Sequence, residues 1–396
     1  MISFRPGSQL YRLITLLSVA GEYPTKSLRL LGNERMYKEL VANLTKQQII
    51  RNPTLRNSKT ESSITPLRVI NVSGKGKRKT IRLYKGALPI LKWIDAEQHY
   101  MTTFRRNKFS GDDTHIERNH RVSEAIAMFM RAGYEFRQSK LPVLQNVEIQ
   151  RQIFVHPSFY IGRDLKQVGK AEMNKTMFSR MVGAAIAGNN CYAVYNTRDA
   201  VMKWCGKGES KAQVGLEEVM RFNSEFEEVK SAILLGASDK VAVATLKDTA
   251  RNQKLQLRFD AIYNHIHFVP LNEIGLRQLA LFTIVDWKEK LLDILFEDEH
   301  RSYGLGSFDY DACVDGVYVL SHLDGDLAKL RRFKETIDAA IVSKTWNKEQ
   351  YVVLCFRDQV SFLTKYLNGI AQIRVVEREA VESRLNLKRR DIFEED

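Results

Sequence analysis

The sequence predicts an α/β protein, α+β overall: a small basic N-terminal module, a helical bridge, and a C-terminal mixed or mostly parallel α/β domain. Three observations predict it. The 396 residues exceed the usual size of one domain, at roughly 100–200 residues each. Charge is segregated: residues 1–92 hold 18 Lys or Arg against 4 Asp or Glu, whereas 93–150 hold 8 of each and 151–396 hold 35 of each. The entire net charge of +14 therefore belongs to the first quarter, which marks a polyanion-binding module rather than a diffusely basic surface. Third, the spacing of apolar residues changes repeatedly between helical and strand periods along the chain.

Leu10, Leu13, Ile14 and Leu17 fall at helical spacing after Ser8, a capping residue, and Gly21 stops the pattern. Thr25 opens a second short helix over 25–31. After Gly32, a third helix over 33–48 sets Met36, Leu40, Val41 and Leu44 on its apolar face, with Arg35, Lys38, Asn43 and Lys46 opposite. A short strand over 48–51, a strand over 64–72, a glycine-rich turn over 73–77 and a returning strand over 80–84 follow. Helix, helix, helix, strand, wing, strand is the winged helix-turn-helix order.

The predicted wing holds Lys75, Lys77, Arg78, Lys79, Arg82 and Lys85 within eleven residues. Lysines on a glycine turn follow a phosphate backbone and release counterions, a contact that carries affinity but little sequence information. Base reading is expected from Asn33, Arg35, Tyr37 and Lys38 at the start of the third helix, because Arg and Asn pair with guanine and adenine edges; Lys46, further along the same exposed face, is a further DNA contact. The expected partner is double-stranded DNA, bound sequence-specifically; a winged helix used only for docking to protein is the alternative for this module.

Residues 93–150 are expected to form a helical bridge, entered by a helix that turns Leu88, Leu91 and Ile94 inward and followed by a polar loop over 104–114 and a helix over 115–133 ending at Gly133. His115 and His120 lie five apart, so a shared metal is disfavoured against hydrogen bonding by His115, Glu117 and Asn119 at a helix start.

The tyrosine-lysine-glycine step within 82–91 and the His-x-x-x-Asn-His helix running into Ala-Gly-Tyr within 115–135 resemble the replication-relaxation family of plasmids and conjugative elements of Gram-positive bacteria. The resemblance covers about the first 150 residues. It implies a DNA-binding accessory protein of a mobile genetic element, acting in transcription regulation or in assembly of replication or transfer proteins at an origin.

Residues 151–396 alternate between helix and strand, with possible subdomains at 151–300 and 301–380 and a charged tail over 384–396. Expected are a helix over 172–187, strands at 191–195 and 201–204, a helix at 209–222, a strand at 231–235, a helix at 238–246, a strand at 265–270 and a helix from Asn272. The series strand 316–320, helix 326–340, strand 351–356, helix 358–367, strand 373–376 implies right-handed crossovers.

No phosphate-binding glycine loop or nucleophile elbow is present; Gly206-Lys207-Gly208-Glu209-Ser210 lacks the required spacing. Catalytic residues, cofactor and metal are all expected to be absent. The alternative is a metal-dependent nuclease or nicking enzyme using Asp311 and Asp315, among an acidic group that includes Asp309, Asp324 and Asp326. The bland reading makes Asp324-Gly325-Asp326 a turn and helix cap. His265 and His267 share a strand face without an obvious third ligand. The apolar stripe over 276–297 is core more often than interface, although a homodimer is expected for a protein reaching two half-sites. Four scattered cysteines, no apolar stretch of bilayer length and no secretory signal lead to the expectation of a cytoplasmic protein without membrane association.

Overall fold

The structure is a computed structural model describing residues 2–53, 63–105, 113–142, 144, 157–168, 180–201, 207–223, 226, 228–251, 262–302 and 309–387. Two compact units divide between Val143 and Leu144. Both mix helices and sheets, so the α+β class holds.

The first unit begins with β1 (Ile2–Ser3) and α1 (Gln9–Ala20), capped as expected by the Ser8 side chain and closed by Gly21 in a positive-φ conformation. Next come β2 (Glu22–Pro24), a 3-10 helix (Thr25–Leu31) and α2 (Glu34–Leu44). Four strands follow: β3 (Gln47–Arg51), β4 (Ser63–Arg68), β5 (Ile70–Ser73) and β6 (Thr80–Leu83). They are succeeded by α3 (Leu88–Lys92), α4 (Glu97–Tyr100) and α5 (Asp113–Arg131).

The strands make two three-stranded sheets, ordered β1-β3-β4 and β2-β6-β5. The single strand read over 64–72 is thus two strands, because Val69 leaves the first ladder and its carbonyl accepts from Tyr84 while β5 turns to pair with β6. Helices α1 and α5 pack together and supply much of the core: Leu13, Ile14, Leu16 and Leu17 on α1 and Ile126, Met128, Phe129 and Met130 on α5 are all fully buried. Their helix α5 also packs on β2, so the bridge read over 93–150 belongs to the first unit through residue 143 rather than standing apart.

In the second unit, β7 (Ser158–Ile161), α6 (Gly162–Val168), β8 (Met181–Ala187) and β9 (Asn190–Arg198) precede α7 (Lys207–Asn223) and β10 (Ser231–Gly236). Then come α8 (Asp239–Arg251), β11 (His265–Pro270), α9 (Glu273–Leu281) and α10 (Trp287–Leu295). The five-stranded sheet runs β11-β10-β9-β8-β7, parallel from β9 to β11 and antiparallel beyond.

The expected helix over 172–187 is corrected: 181–187 is a strand, buried at every position, and 172–179 lie outside the described residues. A run of small apolar residues covered on both faces has no period to separate strand from helix. Gly183 shows the packing that selects the strand, since a Cβ there would sit 2.3 Å from the Tyr160 carbonyl oxygen. Residues 202–204 of the strand read at 201–204 also lie outside the described residues, as do 388–396 of the charged tail.

A second sheet, β12 (Ala312–Val314), β13 (Val317–Ser321), β14 (Tyr351–Cys355) and β15 (Gln372–Val375), has that order. Crossover helices α11 (Leu327–Val342) and α12 (Val360–Leu367) connect its parallel strands, and α13 (Arg378–Arg384) follows. This is the strand-helix-strand-helix-strand series read from the sequence. Both sheets fall in one compact unit, joined where the Gly325 carbonyl accepts from the Phe268 amide and His267 bridges to Asp326.

Candidate nucleic-acid interface

The basic turn sits at the tip of the β5–β6 hairpin. Its ladder pairs Ile70 with Leu83, Asn71 with Arg82, Val72 with Ile81 and Ser73 with Thr80. Residues 74–79 are all exposed and turn through one 3-10 bend, Gly76–Arg78. Gly74 has φ +82°, and a Cβ there would lie 2.5 Å from the Arg78 carbonyl oxygen, so the turn needs glycine. Lys75, Lys77, Lys79 and the following Lys85 are exposed and make no ion pair among the described residues. Arg78 pairs with Asp113 at the first turn of α5.

Strand β6 and the foot of the turn are fixed by polar groups. Glu22, at the start of β2, is fully buried, and its Oε2 accepts from Arg82 Nε at 2.9 Å and Nη2 at 2.7 Å. Its Oε1 accepts from Asn119 Nδ2 on α5 at 2.7 Å. Thr80 Oγ1 hydrogen-bonds the buried His120 Nε2. The Lys79 carbonyl accepts from the Thr25 amide and hydroxyl at 3.0 and 3.2 Å. Arg82, read as a wing cation, is therefore a half-buried anchor; Asn119, read with His115 and Glu117 as hydrogen-bonding at a helix start, donates instead to Glu22 on β2, and His120 bonds Thr80 of the hairpin. Sequence reasoning missed Glu22 entirely. Its signal was its rarity, as one of four acidic residues among the first 92.

Helix α2 departs from expectation. Asn33 spends its side-chain oxygen on the Met36 amide as N-cap. Tyr37 is buried (1% exposed) against Gly32, and Met36 is 49% exposed, so the two exchange the places read for them. The buried face is Tyr37, Val41 and Leu44, spaced i, i+4, i+7. Arg35 pairs with Glu39 at 3.5 Å and Lys38 with Glu34 at 2.6 Å, all on the exposed face. Lys46, just beyond the helix, is exposed.

Four of the five acidic residues read as a group in the second unit, Asp309, Asp311, Asp324 and Asp326, are engaged in hydrogen bonds or ion pairs. Asp311 is buried, pairs with Lys329 and accepts from the Ser321 amide at 2.8 Å. Burial works against the Lys329 ammonium, but Asp311 outweighs it and holds the pKa above its ordinary value. Asp315 lies in the β12–β13 turn at φ +50°, at the other end of the strand that Asp311 precedes. The structure does not bring the two together as a metal pair. Asp309 pairs with Arg332.

Asp326 caps α11 by accepting from the Ala328 and Lys329 amides, and also receives the Ile266 amide and His265 Nδ1 at 2.7 Å. Burial opposes its charge, yet these histidine contacts keep its carboxyl well below the usual range. His267 and His322 are buried, which lowers both pKa values despite nearby Asp324. Among the described residues, the one group of potential ligand atoms close enough for a metal is Glu297, Glu299 and His300, on the surface. No helix among them is long and apolar enough to cross a membrane. No known protein family, curated protein or solved structure matches the chain.

Proposed function

We propose that the first unit binds double-stranded DNA through the β5–β6 hairpin, with the protein acting as a DNA-binding accessory factor. The observation that carries this reading is the set of exposed lysines without carboxylate partners among the described residues: Lys75, Lys77 and Lys79 on a turn that Thr80 and the Lys79 carbonyl anchor, and Lys85 just past the far end of β6, whose Arg82 is held by Glu22. An anchored turn presents its charge in one arrangement and loses little entropy on docking. Helix α1, the 3-10 helix and α2 come in winged-helix order, which supports that fold assignment; β3 and β4, in a sheet with β1, stand between α2 and the β5–β6 hairpin, and β2 joins the hairpin as its third strand. The resemblance to the replication-relaxation family supports a role on a mobile genetic element, in transcription regulation or in assembly of replication or transfer proteins at an origin. A homodimer is part of this proposal, since two hairpins contact two stretches of one duplex.

The test is fluorescence anisotropy with a labelled 30-base-pair duplex. Changing Lys75, Lys77, Lys79 and Lys85 together to Ala removes four phosphate contacts and weakens binding on the order of a hundredfold or more near physiological salt. Undiminished binding by this variant would transfer the proposal from DNA to protein docking. The Asp311–Lys329 pairing leaves the nuclease reading without a supporting observation.

A further inference from the structure

We infer that the duplex is held as a phosphate surface and that α2 does not read its bases. This rests on the proposed duplex contact and concerns what kind of DNA the hairpin takes. A recognition helix reads base edges with side chains that are free to reach into the groove.

The leading turns of α2 offer few such groups. The Asn33 amide oxygen accepts from the Met36 amide, which holds the side chain against the helix end as its cap. Tyr37 points into the core. Arg35 and Lys38 each face a carboxylate one turn away on the same exposed side. The four charges Glu34, Arg35, Lys38 and Glu39 sum to zero. The hydrogen bond from Lys38 holds the Glu34 carboxyl below its usual value, so that charge persists at neutral pH. Two carboxylates at a groove entrance repel the flanking phosphates.

The hairpin is the opposite case. Lys75, Lys77, Lys79 and Lys85 carry charge that no described carboxylate neutralises. Lysine is a flexible point charge suited to phosphate rather than to bidentate base recognition. A glycine turn clamped at its base fits a phosphate-directed contact in which position is fixed and sequence is not.

The experiment is selection of the full-length protein against a duplex pool with a randomised core, followed by sequencing of the retained DNA. The expected result is retention of duplex with no enriched motif, together with less than a threefold affinity change in the Arg35→Ala/Lys38→Ala variant. An enriched motif that disappears in that variant would overturn the inference while leaving duplex binding intact. Failure to retain any duplex would instead remove the proposed function, and the inference with it. Folding of the double variant is checked by its unfolding midpoint, which two exposed substitutions leave within a few degrees of the parent.

Discussion

Replacing Glu22 with Ala tests the anchor beneath the basic turn. Glu22 is fully buried and accepts three hydrogen bonds, two from Arg82 and one from Asn119. Removing one partner of a buried charge pair costs about 3–5 kcal/mol, because the other charge stays behind uncompensated. The Arg82 side chain is 23% exposed and regains some hydration, which places the expected loss near the low end, about 3 kcal/mol. For a unit of this size that corresponds to a fall in Tm of about 10 °C. Thermal and urea unfolding of the full chain read the effect. Glu22→Gln, which keeps an acceptor for Arg82, loses about half as much. A hairpin released at its base also loses duplex affinity several-fold below the new Tm. A Tm within about 3 °C of the parent for Glu22→Ala would refute the anchoring argument.

Further outcomes are expected from the same reasoning. Asp113→Asn frees Arg78 from its ion pair and removes a charge beside the turn, tightening duplex binding about two- to threefold in anisotropy titrations. The second unit loses stability as pH falls. His267 and His322 have folded pKa values below their unfolded ones, so the unfolded chain takes up protons first, and the stability present above about pH 6.5 declines by roughly 1.4 kcal/mol per pH unit for each histidine. Urea midpoints between pH 7 and 5 measure this, and His322→Gln removes about half of the slope. Lys329→Met leaves Asp311 buried and unpaired and costs about 3–5 kcal/mol, most of which is recovered when Asp311→Leu is added. Gly275→Ala places a Cβ 1.8 Å from the Pro270 carbonyl oxygen and lowers the yield of folded protein, as read by limited proteolysis.

Much of this architecture was legible where local signals are strong. Ser8 and Gly21 bound α1, Asn272 and Asp326 cap the helices read after them, and the alternation from β13 to β15 follows the apolar pattern. The glycine and lysine turn announced its own hairpin. What escaped the sequence depends on distant partners. Arg82 reads as another wing cation until Glu22, sixty residues earlier, is seen beneath it. Lys329 reads as a residue of a following helix until the fold places it on Asp311. Tyr37 and Met36 are adjacent, and a helix rotation of one residue decides which is buried. The strand at Met181–Ala187 was hidden by burial on both faces, although Gly188 and Asn189, both at positive φ, were a hairpin signal that could have revealed it.

The proposed contact joins DNA phosphates to the lysines on and beside the anchored hairpin, which have no carboxylate partner among the described residues. The most direct measurement is the slope of log affinity against log salt for duplex DNA, for the parent protein and for the variant with Lys75, Lys77, Lys79 and Lys85 changed to Ala. Loss of four phosphate contacts predicts a variant slope shallower than the parent's by roughly 3.5. Equal slopes for the two proteins, or a flat parent slope, would contradict the account.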